Sequence, residues 1–428
     1  MTDPESNKYD VCVIGTGMAG MAATLFAANR DLSTVQVGHT GEIIFTSGLL
    51  DLMGVHPVNA KHLWHDPWAA IDAVIRDLPN HPYARVKKED IRTAVEELLA
   101  FLNDAGLAYY RRGDHNSEVL TSLGTPKPTY AVPQTMWKGV EALAQKPPCL
   151  LLDIRGLKGF SARQIAATLQ EGWPDLKTAH ISFPDTEHLS EVYTEHMASA
   201  LVLSRNREKF ARIVQPHVNE AQVVGLPAIL GLYRTNEVVS HLEQLIGVPM
   251  FEIPTIPPSV PGLRLKEAFE RGLRLKAVTY FSQKRVLGIR HTADGFFEII
   301  IGRTDTEHTV LSRAIILASG RFIGGGLHAG RKRINETIFD LPVSQPGHRT
   351  EWHRRDFLDS RGHPINQAGL EIDDNFRPLN GSGRPAFETL FAAGSILAHN
   401  DWKRMKCGAG VAIASAFGAV KSLIRICQ

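Results

Sequence analysis

An apolar strand, Asp10-Val11-Cys12-Val13-Ile14, runs directly into Gly15-x-Gly17-x-x-Gly20 and then into an Ala-rich segment through Asn29. That order of strand, glycine turn and helix commits the start of the chain to a βαβ unit on a parallel sheet. One glycine makes the tight turn, one lets backbone approach a pyrophosphate, and one lets the helix pack on the strand. The amino terminus of the helix then faces phosphate. Gly15, Gly17, Met18, Ala19 and Gly20 are the candidate phosphate turn.

The usual companion of this fingerprint is a carboxylate about twenty residues on, at the end of the second strand, where it holds the ribose hydroxyls of an adenosine. Here the second strand reads Thr34-Val35-Gln36-Val37, and the place of the acid falls to Val37 or Gly38, followed by His39-Thr40-Gly41. Glu42 is the first carboxylate. Either Glu42 reaches back from a loop, or the adenosine half is held in another way, which leaves room for a mononucleotide such as FMN.

A chain of 428 residues is long enough for two domains. Its 47 basic and 45 acidic residues give a net charge of +2 with no block of one sign, which argues against a nucleic-acid partner. The start, Met1-Thr2-Asp3-Pro4-Glu5-Ser6, has neither a basic region nor an apolar core, so no secretory signal is expected there. The longest small and apolar stretch, Gly408 to Val420, is expected to be too short to span a bilayer. Cys12, Cys149, Cys407 and Cys427 form no CxxC pair, so no metal or iron-sulfur ligation is expected, and a reducing cytoplasm fits. Cys407, just before a glycine-rich turn, is the one cysteine placed near a candidate site.

The fold expected is α/β: a Rossmann-like FAD/NAD(P)-binding fold, residues 1–59 and 263–428, carrying an inserted mixed α/β cap domain, residues 60–262. After the second strand, residues 43–54, centred on Thr46-Ser47-Gly48, place small residues where a flat cofactor needs close backbone approach, or else form an ordinary strand-to-helix turn capped by Thr46 or Ser47. Within the insertion, Ile91, Val95, Leu98, Leu99 and Leu102 share one face of a helix ended by Gly106, and helices are expected near 161–170 and 237–246. Short strands are expected at Ala108–Tyr110, Glu118–Ser122 and Cys149–Asp153. A Pro-rich run, Pro249 to Gly262, reads as a stiff extended return to the first domain. A helix from Leu263 to Leu273 follows, then strands at 277–282, 286–291 and 295–301. Ala314-Ile315-Ile316-Leu317-Ala318 is a fully apolar strand ending at Ser319-Gly320. Thr389 to Gly394 repeats that form, and Gly408-Ala409-Gly410 opens a helix of small residues.

These pieces occur in an order that resembles the two-dinucleotide-binding-fold flavoproteins. Within them, the chain is most similar to the B subunits of anaerobic glycerol-3-phosphate dehydrogenases. The carriers are the Gly15–Gly20 fingerprint, the Phe45-to-Gly54 segment with Thr-Ser-Gly-x-x-Asp-Leu, Pro254-to-Gly262 with Pro-Pro-Ser-Val-Pro-Gly, Ala318-Ser319-Gly320 with Gly324-Gly325-Gly326, and Cys407-to-Ala412. They run nearly end to end.

The resemblance implies a flavoprotein, with FMN as the first expectation and FAD as the alternative. It implies partners too: the FAD-bearing catalytic A subunit and the membrane-associated iron-sulfur C subunit of the same complex, at the inner face of the cell membrane. Electrons from glycerol 3-phosphate would then pass to a quinone. On that view Thr46, Ser47 and Gly48 line one edge of the flavin, Gly320, Gly394 and Ser395 bring strand ends to it, and Gly408 and Gly410 aim the last helix at its pyrimidine edge. The eighteen histidines show no metal spacing, and no residue is singled out as a general base. The charged groups His399, Asp401, Lys403, Arg404 and Lys406, like Arg321 and Arg331 to Arg333, are read mainly as solvated loops. Two other readings stay open: a self-contained FAD oxidoreductase with its own substrate, and a flavin-free assembly scaffold.

Overall fold

The computed structural model describes residues 8–39 and 42–427. Thr40, Gly41 and the Glu42 side chain lie outside the described residues, and with them the expectation that Glu42 reaches a ribose. The chain divides into two compact units, one of residues 1–42, 51–101 and 269–428, the other of residues 43–50 and 102–268. Residues 60–101, expected in the insertion, therefore pack with the nucleotide-type unit, and residues 43–50 pack with the other. The physical reason is burial: the helices Pro67–Asp77 and Lys88–Asp104 turn Ile71, Val74, Ile91, Val95 and Leu98 inward, all of them buried.

The first unit is built on a seven-stranded sheet. Its elements are β1 (Lys8–Ile14), α1 (Met18–Ala28), β2 (Thr34–Gly38), β3 (Thr279–Ser282), β4 (Arg285–His291), β5 (Phe297–Gly302), β6 (Thr306–Leu317), β7 (Leu390–Ala392) and α2 (Gly408–Cys427). The order is β3-β2-β1-β6-β5-β4, with β7 also paired to β6. Strands β3, β2, β1, β6 and β7 run parallel, whereas β4 and β5 form an antiparallel meander with the first half of β6. Val11 to Ile14 and Ala314 to Leu317 are continuous apolar runs because the parallel core is covered on both faces.

Helix α2 lies against α1, where the Phe26 and Phe417 rings meet edge to face at 5.3 Å. It runs beyond the stretch read from sequence, to Cys427, and is long and apolar enough by length and composition to cross a membrane. Its most apolar window is 72% buried within the fold, the setting of a core helix. The Pro-rich run also departs from expectation: Pro261 and Gly262 already belong to the helix Val260–Arg274, Pro261 being tolerated in a first turn whose N–H has no intrahelical partner.

The second unit carries its own parallel sheet, in the order Met250–Ile253, Val223–Pro227, Cys149–Ile154, Leu176–Ile181. Alternation decides its two faces. Leu150, Leu152 and Ile154 pack with Phe210, Val214 and Leu242, while Cys149 and Leu151 pack with Ile165, Trp173 and Phe251. Its edge strand Met250–Ile253 carries one half of a buried ion pair. Arg264 donates to both oxygens of Glu252 at 2.6 and 2.8 Å, and Thr135 Oγ1 and the Leu230 N–H donate to the same carboxylate, each at 2.6 Å. Burial alone would raise the Glu252 carboxyl, but Arg264 and these donors outweigh it and hold it below the ordinary range.

Replacing Arg264 by Leu leaves that carboxylate buried without its cation and is expected to lower unfolding stability by about 3–5 kcal/mol, measured as a denaturant midpoint. With its folded pKa depressed, Glu252 contributes fully above the ordinary carboxylate range, and the contribution is lost as pH falls through the lowered value. The deficit of Arg264→Leu is therefore expected to be largest near neutral pH and to shrink in acid. A deficit that does not change with pH would contradict this assignment.

Candidate nucleotide site

Three strands of the first unit end side by side. Ile14 pairs with Leu317 and Leu317 with Ala392, and the ladder continues past the strand ends: the Ala318 N–H donates to Ile14 O at 2.8 Å and the Ala393 N–H to Leu317 O at 3.0 Å. The turns at Gly15, Gly320 and Gly394 are thereby set along one carboxyl edge of the sheet, where ligands of open parallel sheets bind. A cavity of about 440 Å³ opens at this edge, lined by the fingerprint turn, the end of β2, the start of β4, Ala318 to Gly320, the Gly324-Gly325 loop, Thr337 and Ile338.

The phosphate turn is fixed through one carbonyl. Gly15 has φ +130°, and a Cβ there would lie 2.1 Å from Ala318 O, so only glycine fits against the neighbouring strand end. A Cβ on Gly20 would lie 2.1 Å from the Gly15 carbonyl oxygen, which lets α1 close down onto the turn. The same oxygen accepts a hydrogen bond of 2.9 Å from Nε2 of Gln36, a fully buried side chain on β2. Because C=O and N–H point opposite ways across a trans peptide, holding this carbonyl toward β2 turns the Thr16 N–H away from it. Helix α1 then begins with Gly17 as N-cap, no capping side chain and no acid in its first turn, leaving its free N–H groups and dipole for an anion.

The cavity wall has the matching charge. Among the described residues its lining includes His39, Lys284 and Arg285 and no carboxylate. Lys284 is held by Glu307, whose carboxyl it keeps below the ordinary range through a short hydrogen bond. Ser319, also in the lining, keeps its Oγ buried against Gly326 with no hydrogen-bond partner. On the far side Thr337 ties down the glycine loop, its Oγ1 donating to Gly325 O at 2.7 Å. Free helix N–H groups, the Arg285 guanidinium and a volume within the usual range of small-molecule sites fit the pyrophosphate and adenosine half of a dinucleotide.

Of the residues expected from sequence, Gly15, Gly17 and Gly320 line this cavity, and Met18, Ala19 and Gly20 form the first turn of α1 behind it. Gly394, φ +82°, faces α1 instead: its Cβ would lie 2.5 Å from Ala19 Cβ, and its N–H donates to Ser415 Oγ at 2.8 Å. Ser395 follows it in a short 3-10 turn. Gly408 packs on Trp402, and Gly410 lies under Tyr83 and Leu52 while its N–H donates to Asp51 O at 2.8 Å. Both glycines thus serve packing within the protein rather than the lining of this cavity. Thr46, Ser47 and Gly48 belong to the second unit, where Ser259 Oγ donates to Thr46 O and Tyr109 OH to Gly48 O.

Of the charged residues read as solvated loops, Arg331, Lys332, Arg333 and Lys403 are exposed, whereas Arg321, His399 and Asp401 have internal tasks. Arg321 is buried and donates to the carbonyls of Asn366, Leu397 and Asn400. His399 meets Glu371 at 2.6 Å, and Asp401 caps the short helix that carries Lys403 and Arg404. Cys407 is fully buried, and burial pushes its thiol up, so it offers no reactive thiolate. No group of three or more His, Cys, Asp or Glu that could hold a metal occurs among the described residues. What sequence reasoning missed is Gln36, Thr16, Lys284 and Arg285. Gln36 had a signal, a lone amide between the valines of a buried parallel strand.

Fold and cavity together define a Rossmann-like nucleotide-binding flavoprotein. The family model described as FAD binding domain matches residues 10–411, and the chain belongs to that family. It is similar to the B subunit of the anaerobic glycerol-3-phosphate dehydrogenase from Aliivibrio fischeri, with 28% identity over 451 residues that cover 98% of this chain and 96% of the relative. The protein of the same name from Yersinia pseudotuberculosis is 28% identical over 428 residues, covering 97% of this chain and 98% of the relative. Among solved structures, 3-ketosteroid delta1-dehydrogenase from Sterolibacterium denitrificans superposes with a TM-score of 0.44 at 12% identity, covering 98% of this chain and 100% of that one. The likeness to B subunits read from the motifs is met, and the role of a flavoprotein oxidoreductase with it. The match supports FAD and lends nothing to FMN as first choice.

Gln36→Leu removes the donor that fixes the Gly15 carbonyl. The expected outcome is a loss of about 1–3 kcal/mol in unfolding free energy together with roughly tenfold weaker flavin binding, about 1.4 kcal/mol, read by flavin fluorescence. Unchanged flavin affinity would show that the turn holds its shape without Gln36.

Proposed function

We propose that this chain is the FAD-carrying electron-transfer component of an anaerobic glycerol-3-phosphate dehydrogenase. It would work beside the catalytic A subunit and the iron-sulfur C subunit at the inner face of the cell membrane, with electrons from glycerol 3-phosphate passing to a quinone. The observation that carries the reading is the cavity on the carboxyl edge of the first sheet, in a chain whose full length matches B subunits of that enzyme. FAD supplies reversible uptake of one or two electrons. The chain's own residues bind and orient it: the α1 amino terminus takes the pyrophosphate, and Gln36 fixes the turn. Arg285 brings positive charge to the same wall.

The purified chain is expected to release FAD on denaturation, identified by chromatography. Glycerol 3-phosphate should reduce a dye only when the catalytic partner is added back. A colourless chain that takes up no flavin would contradict the reading. Dye reduction by the isolated chain would replace it with a self-contained FAD oxidoreductase.

A further inference from the structure

We infer that Thr16, on the fingerprint turn, anchors the adenosine ribose in place of the missing strand-end carboxylate, an inference that rests on the FAD reading above. The exchange is visible in the packing. An ideal Cβ at position 38 would stand 2.2 Å from Thr16 Cγ2, 2.6 Å from its Oγ1 and 2.9 Å from its Cβ. The volume that a side chain at the end of β2 would need is occupied by a side chain arriving from the facing turn. Threonine at 16 therefore requires glycine at 38, and an acid at 38 is excluded while Thr16 stays in place.

Thr16 is 4% exposed, yet it lines the cavity beside Val37, Gly38 and His39. That is the end of the second strand, where this type of fold holds the ribose. A hydroxyl both donates and accepts, whereas a carboxylate only accepts, so Thr16 can pair with a ribose hydroxyl in either sense. With no carboxylate in the lining among the described residues, the neighbouring pyrophosphate also meets no repelling charge there.

The test uses the full-length apoprotein and measures dissociation constants for FAD and FMN by flavin fluorescence. The unaltered chain should bind FAD more tightly than FMN. Thr16→Val keeps the shape against Gly38 and loses the hydroxyl; it should weaken FAD about three- to tenfold, the effect of one neutral hydrogen bond, and leave FMN unchanged. Thr16→Ser should restore FAD binding, and Thr16→Ala should repeat the valine result if valine disturbs folding. Unchanged FAD affinity in Thr16→Val and Thr16→Ala, with the unaltered chain still preferring FAD, overturns the role of Thr16 and leaves the FAD reading standing. Equal binding of FMN and FAD by the unaltered chain overturns both.

Discussion

The first unit depends on how one peptide group is held. The Gly15 N–H donates to Val37 O at 2.8 Å, the Gly15 carbonyl accepts from Gln36, and its α-carbon is pressed against the end of β6. Two neighbouring strands thus grip the same residue at the point where β1 leaves the sheet. The direction of α1, and with it the orientation of the free N–H groups at its start, follows from that grip. A turn with the same glycines but no fixed carbonyl would keep the motif and lose the aim of its donors.

Local pattern carried the sequence reading a long way. Continuous apolar runs at Val11–Ile14 and Ala314–Leu317 announced buried parallel strands, and the glycines after them mark the edge where the cavity opens. The helices at Lys88–Asp104, Ala162–Leu169 and Thr235–Ile246 were written in their periodicity. What periodicity could not supply is which stretch packs with which. Residues 51–101 return to the first unit because their apolar faces find partners far away in sequence, and no spacing encodes that. Of the second sheet only Cys149–Ile154 was read from sequence, since Val223–Pro227 and Met250–Ile253 are short and lie among prolines and glycines, and Leu176–Ile181 is a largely exposed edge strand without an apolar run.

Charge was the least readable feature. A run such as Ala398-His-Asn-Asp-Trp-Lys-Arg has the composition of a solvated loop, and Arg321 follows a glycine as a surface residue would. A guanidinium can nevertheless be buried if its donors meet acceptors, and loops supply carbonyls that no ladder uses. Arg321 takes three of them, from Asn366, Leu397 and Asn400, and so fastens the loops that follow β6 and β7 to the strand ends. The second unit solves the same problem with a carboxylate, Glu252, whose satisfied oxygens give Arg264 a single arrangement.

The absence of a carboxylate after β2, which from sequence pointed toward a mononucleotide, takes a different meaning once the turn is seen in space. Side chains at 36 and 38 lie on one face of β2, by the alternation of a strand, and both meet the fingerprint turn. One holds the Gly15 carbonyl, and the other, by having no side chain, admits Thr16. The peptide between Gly15 and Thr16 is therefore fixed at one end by Gln36 and followed at the other by a side chain seated on Gly38. A strand end without an acid is the consequence of how tightly this turn is docked, and the cavity beside it remains large enough for an adenosine.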